Sequence, residues 1–191
     1  AQSGSPHTLV MSATPIPRTL SLILYGDLDI SVIDELPPGR KPIETFALDE
    51  TYRPRVNRFI EREISSGGRV YVICPLVEEN ESLDRKSAEE HLKTLEKAFP
   101  NRRVALLHGK MPSKKKQEIM TAFKEGSVDI LISTTVVEVG VDVPEASLMI
   151  VENAECFGLS GLHQLRGRIG RGKRKSYCIL MYDKQTPQSR E

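Results

Sequence analysis

Residues 67–75 read Gly-Gly-Arg-Val-Tyr-Val-Ile-Cys-Pro, and this stretch indicates the fold class. Val70 to Cys74 is a continuous β-prone run, which is typical of a strand buried on both faces. The two glycines end the preceding segment Tyr52–Ser65, whose apolar residues recur at helical spacing. A helix followed directly by a doubly buried strand predicts a parallel sheet covered by helices.

The same order of helical and strand patterns continues through residues 41–183. The predicted strands are Ile43–Leu48, Val70–Cys74, Val104–Leu107, Asp129–Ile132, Leu148–Val151 and Tyr177–Met181. The predicted helices are Tyr52–Ser65, Ala88–Phe99, a helix with Ser113 as N-cap that stops at Gly126, and Leu159–Arg168, while Glu78–Arg85 is expected to be a polar loop. This order predicts an α/β domain with a mostly parallel central sheet, whose ligands gather at the carboxyl ends of the strands.

Residues 1–40 have a different character. Short apolar pieces such as Thr19–Tyr25, which fits a helix or a strand, are separated by prolines and glycines. We therefore predict an extended N-terminal arm at 1–40, a domain at 41–183 and an exit linker at 184–191. The apolar residues of the arm have no predicted partner of their own, so we expect the arm to be disordered or to pack on a neighbouring chain, which would mediate self-association.

The composition excludes some classes of protein. The 191 residues carry a formal net charge of +1, so any nucleic-acid site must be a local patch, such as Arg166–Lys175 or Lys114–Lys116. Cys74, Cys156 and Cys178 are widely spaced and odd in number, which argues against a disulfide framework or a zinc site and fits a reducing cytoplasm. No apolar run approaches the length that would span a membrane.

The run Gln-Leu-Arg-Gly-Arg-Ile-Gly-Arg at 164–171 is a candidate anion site. Gln164, Arg168 and Arg171 are spaced four and three residues apart, which would place them on one helical face. Two guanidiniums and an amide suit a partner with several anionic oxygens. Gly167 and Gly170 remove side chains between the arginines, so that a partner could approach closely. By charge alone, a solvated basic helix end is the favoured interpretation.

Residues 134–144 read Thr-Thr-Val-Val-Glu-Val-Gly-Val-Asp-Val-Pro, and two interpretations are equally supported. The alternating valines predict a half-buried strand. However, a predicted strand ends just before this segment, and Gly140 adds nothing to a packed strand. The alternative is a turn and loop that present Thr134, Thr135, Glu138, Gly140 and Asp142 at the edge of the sheet.

Other candidate residues follow predicted strands. His108, Gly109 and Lys110 come after one strand and Pro75 after another, although a loop histidine without a role and a simple strand stop are the simpler interpretations. The sequence has no Gly-x-x-x-x-Gly-Lys-Ser/Thr phosphate loop. The acidic pair Asp34-Glu35 lacks a preceding buried strand, so no metal ligand is predicted.

Three of these segments resemble, in order, motifs of the second motor domain of superfamily 2 helicases. Ser-Ala-Thr at 12–14 resembles motif III, 133–144 motif V and 164–171 motif VI. The segments 13–20, 25–43 and 157–172 narrow the resemblance to the RecG family of branched-DNA helicases. Transcription-repair coupling translocases share 13–20 but diverge at 27–40, and they are one alternative. A non-catalytic, helicase-like binding module is another.

The resemblance implies a three-layer, RecA-like domain that works with a first RecA-like domain of the same polypeptide. ATP and Mg²⁺ would lie between the two domains, held mainly by the first, whose last part (motif III) would lie at the start of this chain. Arg168 and Arg171 would be arginine fingers and Gln164 would help to hold them, while Gly140 and Asp142 would line the nucleotide cleft. Because the first domain would form the other side of that cleft, both fingers are expected to be exposed in this chain. The chain alone is predicted to be inactive as an ATPase.

The resemblance also implies contacts with branched or duplex DNA in a bacterial cytoplasm, where recombination and repair take place. The residues that would contact DNA or couple it to the nucleotide are Ser12, Thr14, Pro75, His108, Gly109, Lys110, Thr134 and Thr135.

Overall fold

The computed structural model describes residues 31, 41–75, 81–134, 146–172 and 174–183, with the backbone alone for 81–88. The chain separates into two units, residues 1–36 and 37–191, and the described elements all belong to the second. The predictions for the N-terminal arm and the exit linker therefore lie outside the described residues and stay predictions.

The described part contains six strands and four α-helices in alternating order. The strands are β1 (Ile43–Asp49), β2 (Arg69–Ile73), β3 (Val104–Leu107), β4 (Ile130–Ser133), β5 (Ala146–Val151) and β6 (Ser176–Tyr182). The helices are α1 (Arg53–Ser65), α2 (Glu81–Ala98), α3 (Ser113–Glu125) and α4 (Leu159–Arg166).

The strands form one sheet in the order β1-β6-β5-β2-β4-β3, and every described pair is parallel. The central strands β4 and β5 are buried at every position, as expected for strands covered on both faces. The predicted α/β class with a parallel sheet is confirmed.

Two apolar cores make the domain three-layered. Helices α1 and α2 cover one face, where Val56 and Ile60 pack against Val70 and Val72 of β2. Helices α3 and α4 cover the other, where Phe123 belongs to the second core. The side chains of β2 alternate between these cores, so this one strand joins both layers.

Helix ends follow local chemistry at most positions. Helix α1 stops where Gly67 takes a left-handed conformation with φ 85°, and α3 stops in the same way at Gly126. Ser113 is the first residue of α3 and not its N-cap, so that prediction is wrong. Pro112 occupies the cap position because its φ of −53° and ψ of 139° are already those of an extended lead-in.

The predicted loop Glu78–Arg85 is wrong from Glu81 onward, because α2 begins there. Polar residues in this stretch argue against burial, but they do not argue against a helical backbone exposed to solvent. The apolar stripe that predicts the helix starts later and includes Leu92 and Leu95, which pack against the first core.

Candidate functional site

The carboxyl ends of the parallel strands form one edge of the domain, which we call the carboxyl edge. Backbone hydrogen bonds join neighbouring strand ends there. Cys74 N–H donates to Ser133 O at 2.8 Å, and Thr134 N–H donates to Leu107 O at 3.4 Å. Segments that are far apart in sequence therefore meet after β2, β3 and β4.

The predicted DNA-contacting residues that the structure describes all lie at this edge. Gly109 and Lys110 are exposed and His108 is half-buried. Pro75 is buried and Thr134 is 4% exposed, so these two offer little open surface and support their neighbours instead. Their predicted role in DNA contact stays a prediction.

The turn at residues 108–110 is held by two hydrogen bonds from within the domain, and the space around Gly109 is open. Met111 N–H donates to His108 O at 3.2 Å, and the Lys116 ammonium donates to the Gly109 carbonyl. A Cβ built on Gly109 would meet nothing within 4 Å. Packing within the domain therefore does not require glycine here, whereas close approach of a partner backbone would.

The second group of candidates, residues 164–171, we call the arginine turn. Gln164 lies in the last turn of α4 and is exposed. The helix ends at Arg166, so the prediction of one helical face that carries Gln164, Arg168 and Arg171 is wrong.

The backbone after α4 tightens rather than continuing as an α-helix. Arg168 N–H donates to Leu165 O at 3.0 Å, three residues back, where an α-helix would bond four back. The two buried hydrophobic side chains of the turn, Leu165 and Ile169, are 0% and 1% exposed and belong to the second core. They fix the backbone from which Arg168 projects.

Gly170 has a reason other than the predicted approach of a partner. Its φ is 77°, and a Cβ there would lie 2.9 Å from Cγ1 of Ile43 on β1. Glycine is required because the backbone is left-handed and β1 packs against it. Gly170 is therefore required by packing within the domain, in contrast to Gly109.

The two arginines differ in their surroundings. Arg171 is exposed, but Arg168 is half-buried, so the prediction that both are exposed is wrong for Arg168. The Nε of Arg168 is buried and has no hydrogen-bond partner among the described residues. A buried donor without an acceptor is costly, which makes this atom a candidate for an acceptor brought from outside.

The other described basic side chains of residues 166–175 have partners within the domain. The pairs are Arg166 with the His163 ring at 3.1 Å, Arg174 with the Ser66 carbonyl and hydroxyl at 2.8 and 2.7 Å, and Lys175 with the Glu44 carboxylate at 2.6 Å. Part of the positive charge in this segment is therefore used in contacts within the domain. Arg168 differs from its neighbours because its Nε has no hydrogen-bond partner among the described residues.

The sequence analysis missed an ion pair at the carboxyl edge. Glu152 follows β5, is 5% exposed and accepts two hydrogen bonds from the Arg53 guanidinium at 2.7 and 2.6 Å. Burial lowers the pKa of Arg53, but the hydrogen bonds and charges of Glu152 and Glu50 together outweigh burial, and the pKa is raised. Burial, with the Glu152 charge added, raises the pKa of the neighbouring Cys74 to about 12.

A sequence signal for Glu152 exists, since it is an acidic residue directly after a fully apolar strand. Its partner Arg53 lies 99 residues away, at the start of α1, and no local pattern connects the two. The bidentate pair fixes the ends of β5 and α1 beside Cys74.

Several predicted residues lie outside the described residues: Ser12, Thr14, Thr135, Gly140 and Asp142. The two interpretations of 134–144 are likewise undecided beyond Thr134, which follows the end of β4. Within the described ranges, no group of three or more His, Cys, Asp or Glu residues could hold a metal ion, and no helix is long and apolar enough to cross a membrane.

The chemistry of the arginine turn fits the phosphates of a nucleotide. Gln164, Arg168 and Arg171 offer amide and guanidinium donors, and the Arg168 Nε lacks an acceptor among the described residues. Planar guanidiniums bind phosphate oxygens through paired hydrogen bonds. The described residues fit the anionic part of ATP, and they provide no cluster suited to Mg²⁺.

The comparisons with a family model and with curated proteins indicate the same kind of protein. Residues 54–173 match the model of the helicase conserved C-terminal domain. The chain is 53% identical to the ATP-dependent DNA helicase RecG of Synechocystis sp. over 192 residues, which covers 100% of this chain and 23% of that protein. It is 57% identical to RecG of Aquifex aeolicus over 176 residues, which covers 92% of this chain and 22% of that protein.

The solved structure of RecG bound to a three-way DNA junction matches 94% of this chain and 23% of that one, with 44% identity and a TM-score of 0.76. This match confirms the predicted RecA-like helicase fold. The chain spans about a quarter of the length of the relatives that it matches. The chain therefore belongs to the helicase conserved C-terminal domain family, and over nearly its whole length it is similar to the RecG helicases.

Proposed function

We propose that this chain is the second RecA-like motor domain of an ATP-dependent DNA helicase that remodels branched DNA. The observation that carries the proposal is identity of half or more to RecG helicases over nearly the whole chain. The structure of a relative on a three-way DNA junction supports branched DNA as the substrate class.

The arginine turn would serve ATP hydrolysis. Arg168 and Arg171 act as arginine fingers on the phosphates, and Gln164 helps to hold them. The buried Nε of Arg168 supports this assignment, because an incoming phosphate oxygen would supply the missing acceptor. Charge stabilisation of this kind is worth roughly 10³ to 10⁵ in rate.

ATP with Mg²⁺ would supply the transferable phosphoryl group and would be held mainly by a first RecA-like domain. Gly140 and Asp142 would line the cleft on the side of this chain. Fingers on one domain and a phosphate loop on the other make hydrolysis depend on closure of the two domains. An isolated second domain should therefore turn over no ATP.

The carboxyl edge would follow the DNA backbone. Exposed Gly109 and Lys110 and half-buried His108 form this surface, supported by Pro75 and Thr134. From the sequence, Thr135 is assigned the same role, and Ser12 and Thr14 would link the nucleotide state to DNA contact. Backbone contacts carry no sequence information, which suits a motor that must move along any sequence.

The partners implied are branched or duplex DNA and the first motor domain of the same polypeptide. The place of action would be the cytoplasm of a bacterium, at the nucleoid. Self-association through the N-terminal arm remains part of the proposal for the isolated chain.

The test is steady-state ATP turnover of the complete helicase that carries this chain, with branched DNA present. Arg168→Ala should lower turnover by roughly 10³-fold or more. Arg174→Ala is the matched control, because Arg174 lies in the same basic segment and bonds to Ser66. It should leave turnover within about twofold of the unaltered enzyme.

Turnover that survives Arg168→Ala would overturn the role of the arginine turn. It would favour a non-catalytic helicase-like module. A loss of turnover in both variants would instead indicate a general dependence on positive charge.

A further inference from the structure

The lysine run at residues 114–116 is a basic cluster to which no role has been assigned so far. It lies in the first turn of α3, shortly after the turn at residues 108–110. Lys114 and Lys115 are exposed, whereas Lys116 is half-buried. Among the described residues, neither Lys114 nor Lys115 makes a hydrogen bond or an ion pair. These two side chains, which we call the lysine pair, therefore carry positive charge that the described part of the domain does not use.

The stability of α3 does not explain the lysine pair. Cations in the first turn of a helix face the positive end of the backbone dipole and are disfavoured there. The first turn of α3 contains no acidic residue that would offset them. Glu118 is four residues after Lys114 but forms no ion pair with it in the described part of the chain, and lysine before glutamate is the weaker order for such a pair. Two adjacent like charges at this place are unfavourable for the free domain, which favours an anionic partner from outside.

The basic segment 166–175 differs in this respect. Arg166, Arg174 and Lys175 each have a partner within the domain. Because the formal net charge of the chain is only +1, a surface for nucleic acid has to be built from cations that the fold leaves unpaired. The lysine pair meets this condition.

A hydrogen bond places the lysine pair next to the carboxyl edge. The Lys116 ammonium donates to the Gly109 carbonyl, so the first turn of α3 is tied to the turn at residues 108–110. Gly109 leaves open space on that turn, and Lys110 beside it is exposed. The lysine pair directly precedes Lys116, and consecutive Cα atoms are only about 3.8 Å apart. The lysine pair therefore continues the positive surface of the carboxyl edge onto α3.

We propose that Lys114 and Lys115 bind two further phosphates of the DNA backbone, beside the contacts proposed for residues 108–110. The inference rests on the proposed function, in which the carboxyl edge follows DNA. Lysine ammonium groups bind phosphates as point charges on flexible stems, so they need no fixed geometry. Because phosphate contacts carry no sequence information, the lysine pair holds DNA of any sequence equally well.

The test is the salt dependence of DNA binding by the complete helicase, on two branched DNAs of unrelated sequence. Lys114→Ala/Lys115→Ala removes both charges, whereas Lys114→Arg/Lys115→Arg keeps them. Lys93→Ala/Lys97→Ala is the matched control. Lys93 and Lys97 are also exposed and have no partner among the described residues, but they lie on α2, across the sheet from α3.

Lys114→Ala/Lys115→Ala should lower the slope of log affinity against log salt by about 1.8, the value for two phosphate contacts. At about 0.1 M salt it should weaken binding by roughly tenfold or more, and to the same extent for both sequences. Maximal ATP turnover should stay unchanged but require more DNA, because the lysine pair acts on DNA binding alone. The arginine double variant should keep the slope. The control should change neither slope nor affinity, since exposed charges more than about 10 Å from the DNA are largely screened.

Thermal melting of the alanine double variant should show no loss of stability, because two unfavourably placed cations are replaced by a good helix former. An unchanged slope in that variant, beside an unaltered helicase that binds both DNAs, would overturn the inference alone. Equal weakening in the two alanine double variants would also overturn it, since net charge and not a contact would then be responsible. An unaltered helicase without affinity for DNA would overturn the inference together with the proposed function.

Discussion

The carboxyl edge and the arginine turn are built in opposite ways. The carboxyl edge joins strand ends that are far apart in sequence, and its connections are hydrogen bonds and one ion pair between distant segments. The arginine turn is eight consecutive residues, placed by its own buried Leu165 and Ile169. The carboxyl edge therefore depends on the register of the whole sheet, whereas the arginine turn depends on how one short segment is anchored to that sheet.

The largest expected effect concerns the ion pair of the carboxyl edge. Glu152→Ala should lower the free energy of unfolding of the chain by about 2–4 kcal/mol, because it leaves the half-buried Arg53 without its bidentate partner. The value lies at the lower part of the range for buried pairs, since Arg53 keeps its bond to Glu50. Urea denaturation of the isolated chain measures it.

The control for this prediction is Glu61→Ala. Glu61 pairs with Arg102 on the surface, where an ion pair is worth less than about 1 kcal/mol. Equal losses in the two variants would mean that the Arg53–Glu152 pair anchors nothing, and that the carboxyl edge is held by its backbone alone.

An effect of similar size is expected in the arginine turn. Gly170→Ala should cost about 2–4 kcal/mol, because the left-handed backbone and the contact with Ile43 both oppose a Cβ. Gly109→Ala at the carboxyl edge should change the free energy of unfolding by less than about 0.5 kcal/mol, because its Cβ would lie in open space.

Ile43→Ala in the Gly170→Ala background separates the two causes. It should recover the part of the loss that comes from the contact, while the backbone strain remains. A Gly109→Ala loss as large as that of Gly170→Ala would contradict the distinction between the two glycines.

These glycines show what the sequence could and could not predict. Strand and helix positions followed from apolar spacing, and the α/β class with a parallel sheet followed from their order. The position at which α4 ends did not follow from the sequence, because the spacing of Arg168 and Arg171 is also compatible with a helix that continues. Nothing local shows that Gly170 must turn left-handed to pass Ile43, a residue more than a hundred positions away.

The candidate site divides in the same way. The arginine turn was found from the sequence because its residues are consecutive. The Arg53–Glu152 pair was not found, because it depends on where the end of β5 lies relative to the start of α1 in the packed domain. Sequence order predicts that strands exist, but the order β1-β6-β5-β2-β4-β3 is a property of the packed sheet.

A smaller effect separates the functions of the two regions. Gly109→Ala should weaken binding of branched DNA by the complete helicase by about three- to tenfold at fixed salt, because a side chain blocks close approach of the phosphate backbone. Gly161→Ala is the matched control, since its Cβ would also lie in open space but on α4. It should leave DNA affinity unchanged, and equal weakening in both variants would argue against a DNA surface at 108–110.

A last effect appears only at high pH and compares a thiol near each region. Burial raises the pKa of Cys74, beside the carboxyl edge, to about 12, and Glu152 adds to the shift. Burial raises the pKa of Cys178, near the arginine turn, to about 11, and the charge of Arg166 opposes the shift. Both thiols keep their protons in the folded chain at pH values where an unfolded chain, with thiol pKa values near 9, has lost them.

The sign of the effect follows from this difference. Below pH 9 the folded and the unfolded chain both bind the thiol protons, so the free energy of unfolding is unaffected. From pH 9 upward the unfolded chain releases these protons, and the free energy of unfolding falls until the folded thiol also ionises. Each thiol adds up to about 1.4 kcal/mol per pH unit to that slope. In urea denaturation between pH 9 and 11, Cys74→Ala should show a shallower slope than the unaltered chain, whatever its stability at neutral pH. An unchanged slope would mean that Cys74 ionises freely, and that the carboxyl edge is more open to water than the Arg53–Glu152 pair implies.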